Sequence, residues 1–324
     1  MIDSKRYLAI ASAATLLLCV FPSAQAQTWP TKTVRFIVPF TPGGANDLMA
    51  RAAAEGAGKA LGQTVIVENR GGAGGSLGAD IVAKSAPDGY TFLISAAGVI
   101  SNSMIKKSLP FKDEDLVPVV MIGVAPSVIV VPKTAPYDTL REFVEASKKG
   151  KGFNFATAGT GSTPHFVAEM LNVKYGAKLQ PVPYKSGSES TTAVLSGQVE
   201  GTSEASIIAL PHIRGDGRFK PLATTWSKRI AAYPQLSTAV EQGFADLEIA
   251  HWAGLHAPRG TPPDIMDKLA AAVDKAMHEP ANAEKLRKLG IEPVGGTRIE
   301  FVTFVDAERK RLGEIVKAAH MKEE

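Results

Sequence analysis

Two segments of the sequence combine a glycine turn with the start of a helix, a pattern that can hold an anion. In residues 40–47, FTPGGAND, the turn follows an apolar β-branched run and precedes an alanine- and leucine-rich helical pattern. In residues 157–165, TAGTGSTPH, the same order recurs. Because the first N–H groups of a helix have no partners within it, they attract negative charge. Glycine in turn lets the backbone approach a ligand closely.

Neither segment contains an arginine or a lysine, so a bound anion would be neutralised by backbone N–H groups, hydroxyls and water. His165, in the first turn of the second helix, is either a ligand contact or a solvated or capping histidine. Asp47, at the first helix start, is expected to accept hydrogen bonds from N–H groups of its own loop. Glycine is also common at ordinary turns, so each motif alone has a purely structural alternative.

Two further polar residues follow predicted strands near the second motif. Tyr184 lies in VPYKSG and Glu204 lies in GTSEAS, each at the height where a ligand would sit. A carboxylate beside an anion is repulsive unless it binds an amine, a hydroxyl or a protonated group. Glu204 is therefore either a ligand contact of that kind or a helix cap.

Motifs for catalysis, cofactors and metals are weak or missing. Residues 74–78, GGSLG, match the nucleophile elbow around Ser76, but that elbow needs an apolar strand directly before it, and NRGGAGG stands there instead. We interpret the stretch as a glycine loop that covers the binding site or packs against it. His251 and His256 are five residues apart on a predicted strand, so they point to opposite faces. No cofactor, metal or catalytic residue is expected.

The bulk composition fits a folded protein of roughly two domains, at ~100–200 residues each. The 324 residues are 45% hydrophobic and 21% charged, and the formal net charge is +4. No basic run is present that would follow a phosphate backbone, so a nucleic-acid partner is not expected.

The N-terminus has the three parts of a secretory signal peptide. Lys5 and Arg6 precede the apolar run 8–20, and Ala24-Gln25-Ala26 is a small-x-small cleavage site. The apolar run is shorter than the ~20 residues that span a bilayer, although a retained membrane anchor is the alternative. Cleavage after Ala26 would remove the signal peptide, residues 1–26, and with it the only cysteine. We therefore expect a thiol-free protein exported to the periplasm.

Apolar β-branched runs alternate with helical patterns along the rest of the chain, which predicts α/β sheets with parallel strands. Strands are predicted at 34–38, 65–68, 90–95, 117–131, 153–157, 179–182, 199–203 and 220–225. Helices are predicted at 47–61, 76–86, 101–107, 138–148, 163–173, 187–196, 206–214 and 298–319. Thr261 is predicted to cap another helix that Pro262 and Pro263 open, and the C-terminal helices are expected to pack on the first domain.

Two long apolar segments, 116–132 and 247–262, exceed an ordinary strand and suit crossovers between two domains. They predict a discontinuous first lobe, residues 27–125 plus 250–324, with the second lobe, residues 126–249, inserted between the crossovers. A single large sheet is the alternative.

Six blocks of the sequence together resemble the solute-binding proteins of tripartite tricarboxylate transporters, the Bug family. In order along the chain they are VRFIVPFTPGGANDLMAR, VIVENRGGAGGSLGADIVAKSAPDGYTFL, LPFKDEDLVPVVMIG, ATAGTGSTPH, VPYKSGSESTTAVLSGQVEG and WAGLHAPRGTPPDI. Many relatives have an aspartate in the segment that here reads SEAS, a segment that helps distinguish ligands. The identity of the ligand is therefore left open.

The resemblance implies an α/β, two-lobed periplasmic-binding-protein fold, type II-like. Each lobe is expected to be a mixed, mostly parallel sheet flanked by helices, and two hinge crossovers are expected to join the lobes. It further implies a monomeric, non-enzymatic receptor that binds a small organic carboxylate and delivers it to membrane permease subunits. The implied ligand-binding residues are Phe40, Thr41, Gly43, Gly44, Asp47, Ala97, Thr157, Ala158, Gly159, Ser162, His165, Tyr184 and Glu204. The alternatives are a periplasmic ligand sensor and a serine hydrolase that uses Ser76 or Ser162.

Export is the first testable prediction. Protein recovered from the periplasmic fraction should begin at Gln27, because the small-x-small site ends at Ala26. N-terminal sequencing measures this directly. A full-length product in the cytosol would contradict both the localisation and a role in periplasmic transport.

Overall fold

The computed structural model describes residues 29–322, so the predicted signal peptide and its cleavage site lie outside the described residues. The strands are β1 (Val34–Val38), β2 (Val65–Asn69), β3 (Thr91–Ser95), β4 (Leu116–Pro132), β5 (Phe153–Thr157), β6 (Leu179–Pro183), β7 (Gly201–Ala205), β8 (Phe219–Thr224), β9 (Ala250–Pro258) and β10 (Glu292–Pro293).

The helices alternate with the strands as far as β8 and then dominate the C-terminal part. They are α1 (Ala45–Leu61), α2 (Ser76–Ala83), α3 (Ala97–Ile105), α4 (Leu140–Ser147), α5 (Thr163–Tyr175), α6 (Gly187–Leu195), α7 (Ser206–Leu210), α8 (Pro263–His278), α9 (Pro280–Lys288) and α10 (Arg298–Ala318). Within residues 29–322, none of the helices combines the length and the apolar character that a bilayer crossing requires.

The strands form one mixed sheet in the order β2-β1-β3-β9-β4-β7-β5-β6, and β8 and β10 also pair with β4. β1 runs parallel to β2 and β3, and β5 runs parallel to β6 and β7. The pairs that involve β4 or β9 are antiparallel. The predicted α/β class is confirmed, with antiparallel pairing at the centre and parallel pairing in the outer strands.

β4 connects the two halves of the sheet. Its first part, residues 116–126, pairs with β9, and its second part, residues 127–132, pairs with β7 and β8. The two long predicted segments are therefore the long strands β4 and β9. The lobe boundaries inferred from the sequence, at 125/126 and 249/250, fall where β4 changes partner and where β9 begins. The division into two lobes stays a prediction.

The C-terminal helices cover both halves of the sheet. Met49 of α1 and Val273 of α8 are buried in one cluster, so α8 packs on the first half as predicted. The last helix reaches further than predicted. Phe301 of α10 packs near β9, whereas Leu312 joins the cluster around Phe166 of α5. The length of α10, 21 residues, lets one helix contact both halves.

The predicted cap of α8 is wrong in detail. The helix begins at Pro263 with Pro262 at the capping position, and the Thr261 hydroxyl donates instead to the Pro258 carbonyl at 2.8 Å. Neither proline has an N–H for the threonine oxygen to accept, so the hydroxyl closes the preceding turn. α9, which the local sequence pattern did not predict, is capped by the Glu279 carboxylate.

Close packing of β9 against α10 gives a stability prediction. A Cβ at Gly254 would overlap the Phe301 ring, which is buried. We expect Gly254→Ala to lower the free energy of unfolding by about 1–3 kcal/mol, as overpacked cores do. The matched control is Gly215→Ala, where an added Cβ meets nothing within 4 Å. Urea unfolding measures both variants, and equal midpoints would contradict the packing.

Candidate functional site

The first predicted loop leads from β1 into α1. Gly44 is the N-cap of α1, with φ of −77° and ψ of 166°, and no side chain caps this helix. Gly43, just before it, has φ of +81°, a left-handed conformation that glycine adopts without strain. The loop therefore leaves the first N–H groups of α1 available to a ligand.

Asp47 lies behind this loop and holds it in place. Its carboxylate accepts a hydrogen bond from the Gly43 N–H at 3.0 Å and is bonded by Arg51 and by Asn69. Burial opposes ionisation of this carboxyl, but the hydrogen bonds from Arg51, Gly43 and Asn69 keep the pKa of Asp47 below its ordinary value. Asn69 also donates to the Phe40 carbonyl at 3.1 Å. Asp47 therefore has the loop-bonding role that the sequence predicts.

The second predicted loop leads from β5 into α5 in the same way. Gly159 and Gly161 have φ of +102° and +79°, and Ser162 is the N-cap of α5. The Ser162 hydroxyl donates to the Gly159 carbonyl at 2.6 Å and does not cap the helix. His165 accepts a hydrogen bond at Nδ1 from the Gly161 N–H at 3.1 Å, and its Nε2 lies 3.5 Å from Glu169.

Both loops are held by the same bond. In each, a glycine N–H in the turn donates to the side chain four residues later, in the first turn of the helix: Gly43 to Asp47 and Gly161 to His165. This bond uses an N–H of the turn and leaves the helix start itself uncapped. His165 thus stabilises the turn before α5, and its role as a ligand contact stays a prediction.

Four helix starts meet at one cavity. Gly44, Ala45 and Asn46 line it from α1, Ala96 and Gly98 from α3, Ser162, Thr163 and Pro164 from α5, and Ser186 and Gly187 from α6. α1, α3 and α5 have no side-chain cap, whereas the Ser186 hydroxyl caps α6. Among the described residues that line this cavity, none is arginine or lysine. Its positive potential comes from helix termini.

The structure brings six of the thirteen predicted residues to this cavity: Phe40, Thr41, Gly44, Ala158, Ser162 and Glu204. Gly159 and Tyr184 line an adjacent groove together with the 71–75 glycine loop, and Gly43 lines a third groove. Asp47, Ala97 and Thr157 are almost fully buried behind the wall. His165 is also behind it, with 12% of its side chain exposed. The glycine loop contributes Gly74 to the cavity, in keeping with the predicted packing of this loop against the site.

Glu204 is an unusual wall residue because its carboxyl is buried and lacks a partner. The residue is 2% exposed, and Oε1 has no hydrogen-bond partner among the described residues. Burial raises the pKa of Glu204 to about 8, although a backbone hydrogen bond at Ala205 opposes the shift. The side chain is therefore mostly neutral at pH 7, and a ligand anion does not meet a full negative charge.

His251, at the start of β9, also lines the cavity. Its Nε2 atom is buried and unpartnered among the described residues. Burial lowers the pKa of His251 to about 4, against a hydrogen bond to the backbone of Ser203. In the sequence this histidine stands out only as a possible metal ligand. Its position in the wall depends on the pairing of β9 with β4, which no local motif reveals.

The two candidate nucleophiles do not have the contacts of an activated serine. The Ser76 hydroxyl donates to the Ala73 carbonyl at 2.7 Å, and the Ser162 hydroxyl donates to Gly159. Among residues 29–322, no hydrogen bond joins either hydroxyl to a histidine, the group that would accept its proton. These serines form turns.

Sequence comparison now identifies the family. Residues 49–321 match the family described as "Tripartite tricarboxylate transporter family receptor". The chain belongs to this receptor family. Receptors of this family are periplasmic, and the family and fold are those of solute-binding proteins. The resemblance seen in the six sequence blocks is therefore confirmed.

Individual members of the receptor family resemble the chain over nearly its full length. Protein BugT of Bordetella pertussis is 35% identical over 296 residues, which cover 90% of each chain. The solved structure of R. palustris Rpa4515 with adipate is 30% identical, with a TM-score of 0.86, and covers 91% of this chain and 99% of its own. MatC (Rpa3494) from Rhodopseudomonas palustris with bound malate is 30% identical, with a TM-score of 0.83, and covers 89% and 100%.

The buried carboxyl of Glu204 predicts a specific dependence of stability on pH. The folded protein keeps a proton that the unfolded chain, with an ordinary pKa of 4.5, releases, so the free energy of unfolding falls as pH rises from 4.5 to about 8. His251 acts in the opposite direction, but only below its ordinary pKa of 6.5. The window from pH 6.5 to 8 therefore isolates Glu204.

Between pH 6.5 and 8 the free energy of unfolding of the wild type should fall by about 2 kcal/mol relative to that of Glu204→Gln, at ~1.36 kcal/mol per pH unit, because glutamine does not titrate. Urea unfolding at several pH values measures the difference. Glu284→Gln is the control, since Lys288 lowers the pKa of that exposed carboxyl and no titration falls in this window. Parallel curves for wild type and Glu204→Gln would contradict the buried neutral carboxyl.

Proposed function

We propose that the chain is a periplasmic receptor that captures a small organic carboxylate between the loops 40–47 and 157–165 and delivers it to a tripartite tricarboxylate-type membrane transporter. The observation that carries this proposal is the meeting of three uncapped helix starts, α1, α3 and α5, at one cavity. A carboxylate is the ligand that such a set of N–H groups favours.

The electrostatics are sufficient without a cationic side chain. Each helix terminus has roughly half an elementary charge, typically worth ~0.3–1 kcal/mol for an exposed anion and up to ~2 kcal/mol when the site is partly buried. Three such termini supply several kcal/mol, and the neutral forms of Glu204 and His251 do not oppose them. Backbone N–H groups and hydroxyls supply the hydrogen bonds, with water between them and the ligand.

Relatives support the chemical class of the ligand. Rpa4515 was solved with adipate and MatC with malate, and both proteins share the fold of this chain over nearly its whole length. Adipate and malate are small dicarboxylates. The carboxylate proposed here belongs to the same broad class, and the family supports a transporter as the destination.

Capture proceeds by closure of the two proposed lobes, residues 27–125 plus 250–324 and residues 126–249. β4 and β9 are the strands that would form the hinge. A ligand that contacts α1 and α3 from one lobe and α5 from the other binds the closed form more tightly than the open form, and this difference shifts the equilibrium towards closure. The closed monomer is then the form that the permease subunits recognise.

The two N-cap positions give a sharp test. Gly44 has an extended backbone, and a Cβ added there would make only an ordinary contact, 3.7 Å from the Thr41 carbonyl oxygen; Ser162 is the equivalent residue of α5. Asp is a favoured N-cap, so Gly44→Asp and Ser162→Asp should stay folded. Each adds a negative charge where the ligand carboxylate sits. Two charges ~4 Å apart repel by about 4 kcal/mol at an effective dielectric of about 20, which is about a thousandfold in affinity.

The matched controls are Gly44→Asn and Ser162→Asn, which have nearly the same shape and capping ability without the charge. A thermal-shift screen of mono-, di- and tricarboxylates, adipate and malate included, supplies the ligand, and titration calorimetry measures its affinity. Both Asp variants should lose binding, whereas both Asn variants, which compete with the ligand for one N–H group but add no charge, should lose far less of it. Equal binding by an Asp variant and its Asn control would remove that loop from the site.

A further inference from the structure

Two polar atoms in the wall of the cavity lack the partners that buried polar atoms normally have. Oε1 of Glu204 and Nε2 of His251 are both buried, and neither has a hydrogen-bond partner among residues 29–322. Glu204 is 2% exposed, and both residues line the cavity. A buried polar atom that faces a ligand cavity is a candidate ligand contact, because the ligand can supply the missing bond.

Both residues lie on strands that pair with β4. Glu204 lies in β7 opposite Val128 of β4, and His251 lies in β9 opposite Ala125 of the same strand. The ring of His251 is also hydrogen-bonded to the backbone of Ser203, the residue directly before Glu204. The His251 ring therefore reaches the backbone of β7 next to Glu204, and both side chains line the cavity near the point where β4 changes partner from β9 to β7.

The fold leaves room for this carboxyl. A Cβ at Gly187, the first residue of α6, would lie 2.6 Å and 2.8 Å from the two carboxyl oxygens of Glu204. Only glycine at position 187 leaves room for the Glu204 carboxyl beside the first residue of α6. The space for the Glu204 side chain therefore depends on Gly187 in the segment SGSES, residues 186–190, as well as on the sheet.

The two free atoms have complementary polarity. The His251 ring donates a hydrogen bond to the Ser203 backbone, because that bond raises the pKa of the ring. Since Nε2 has no partner among the described residues, the donor is Nδ1, and the neutral ring carries its proton there. Nε2 is then an acceptor. The protonated carboxyl of Glu204 has one O–H donor. No lysine or arginine lines the described part of the cavity.

A hydroxyl group is the simplest partner for one donor and one acceptor, because it accepts one hydrogen bond and donates another. An ammonium group has three donors and favours the ionised form of Glu204, so its binding would displace the carboxyl proton. A second carboxylate accepts only, and would leave Nε2 of His251 facing a negative charge. A hydroxyl satisfies both wall atoms without any change of protonation.

We propose that Glu204 and His251 form a subsite for a hydroxyl group of the ligand, so that the receptor selects hydroxycarboxylates over the corresponding deoxy acids. The subsite rests on the proposed function, since the carboxylate end of the same ligand occupies the helix starts of α1, α3 and α5. Glu204 donates to the ligand hydroxyl oxygen, and the ligand hydroxyl donates to Nε2 of His251.

Three matched triplets of acids test the proposal with the wild-type mature protein. They are propionate, lactate and alanine; succinate, malate and aspartate; and glutarate, 2-hydroxyglutarate and glutamate. Titration calorimetry at pH 7 in two buffers of different ionisation enthalpy gives the affinity and the number of protons exchanged. In the triplet that fits, we expect the hydroxy acid to bind at least about tenfold tighter than the deoxy acid, with no proton exchange.

Equal affinity for the hydroxy and deoxy acids would overturn the subsite and leave the proposed function intact. Tightest binding by the amino acid, with release of about one proton, would also overturn it and would assign the pair to an ammonium group. If none of the nine acids and neither adipate nor a tricarboxylate binds, the proposed function fails, and the subsite fails with it.

Variants separate the subsite from general binding. Glu204→Leu and His251→Phe should each reduce the preference for the hydroxy acid over the deoxy acid to below about threefold. Glu204→Gln, which keeps a donor, should retain much of the preference, and His278→Phe is the same change at an exposed histidine. An undiminished preference in folded Glu204→Leu would overturn the assignment. If a variant does not fold, the wild-type triplets still decide.

Discussion

A helix leaves its first backbone N–H groups without partners, and in this protein three helices without side-chain caps direct those groups to one cavity. An N-cap side chain at Gly44 or Ala96 would add stability to its own helix and occupy the groups that a ligand needs. The site therefore depends on helix starts that the protein itself leaves unsatisfied. Glycine, alanine and a serine turned towards its own loop are the residues that achieve this.

Uncapped helix starts need another means of holding their loops in shape. Asp47 and His165 supply it, since each accepts a glycine N–H from the turn before its own helix. Arg51 and Asn69 hold Asp47 in turn, and Asn69 reaches the Phe40 carbonyl. Side-chain charge is thus used behind the loop, away from the ligand, and the surface of the cavity keeps only dipoles and neutral polar groups.

The same need for neutrality explains the wall formed by β7 and β9. Glu204 and His251 carry ionisable groups, but burial shifts the pKa of each towards the neutral form. β4 brings the two together because it pairs with β9 along one part and with β7 and β8 along the other. A strand shared between two halves of a sheet thereby sets both the proposed hinge and the proposed hydroxyl subsite.

The sequence by itself determined the α/β class, most strands and the two glycine loops, because apolar β-branched runs, glycine turns and helix starts are local signals. β1 and β5 were predicted at their observed bounds, and the loop role of Asp47 follows from its place at a helix start. Only the tertiary structure decided that α6 also opens onto the cavity and that His251 lines the same cavity as Glu204. Those contacts join residues far apart in the chain through the pairing of β4, and no local pattern encodes a partner in another strand.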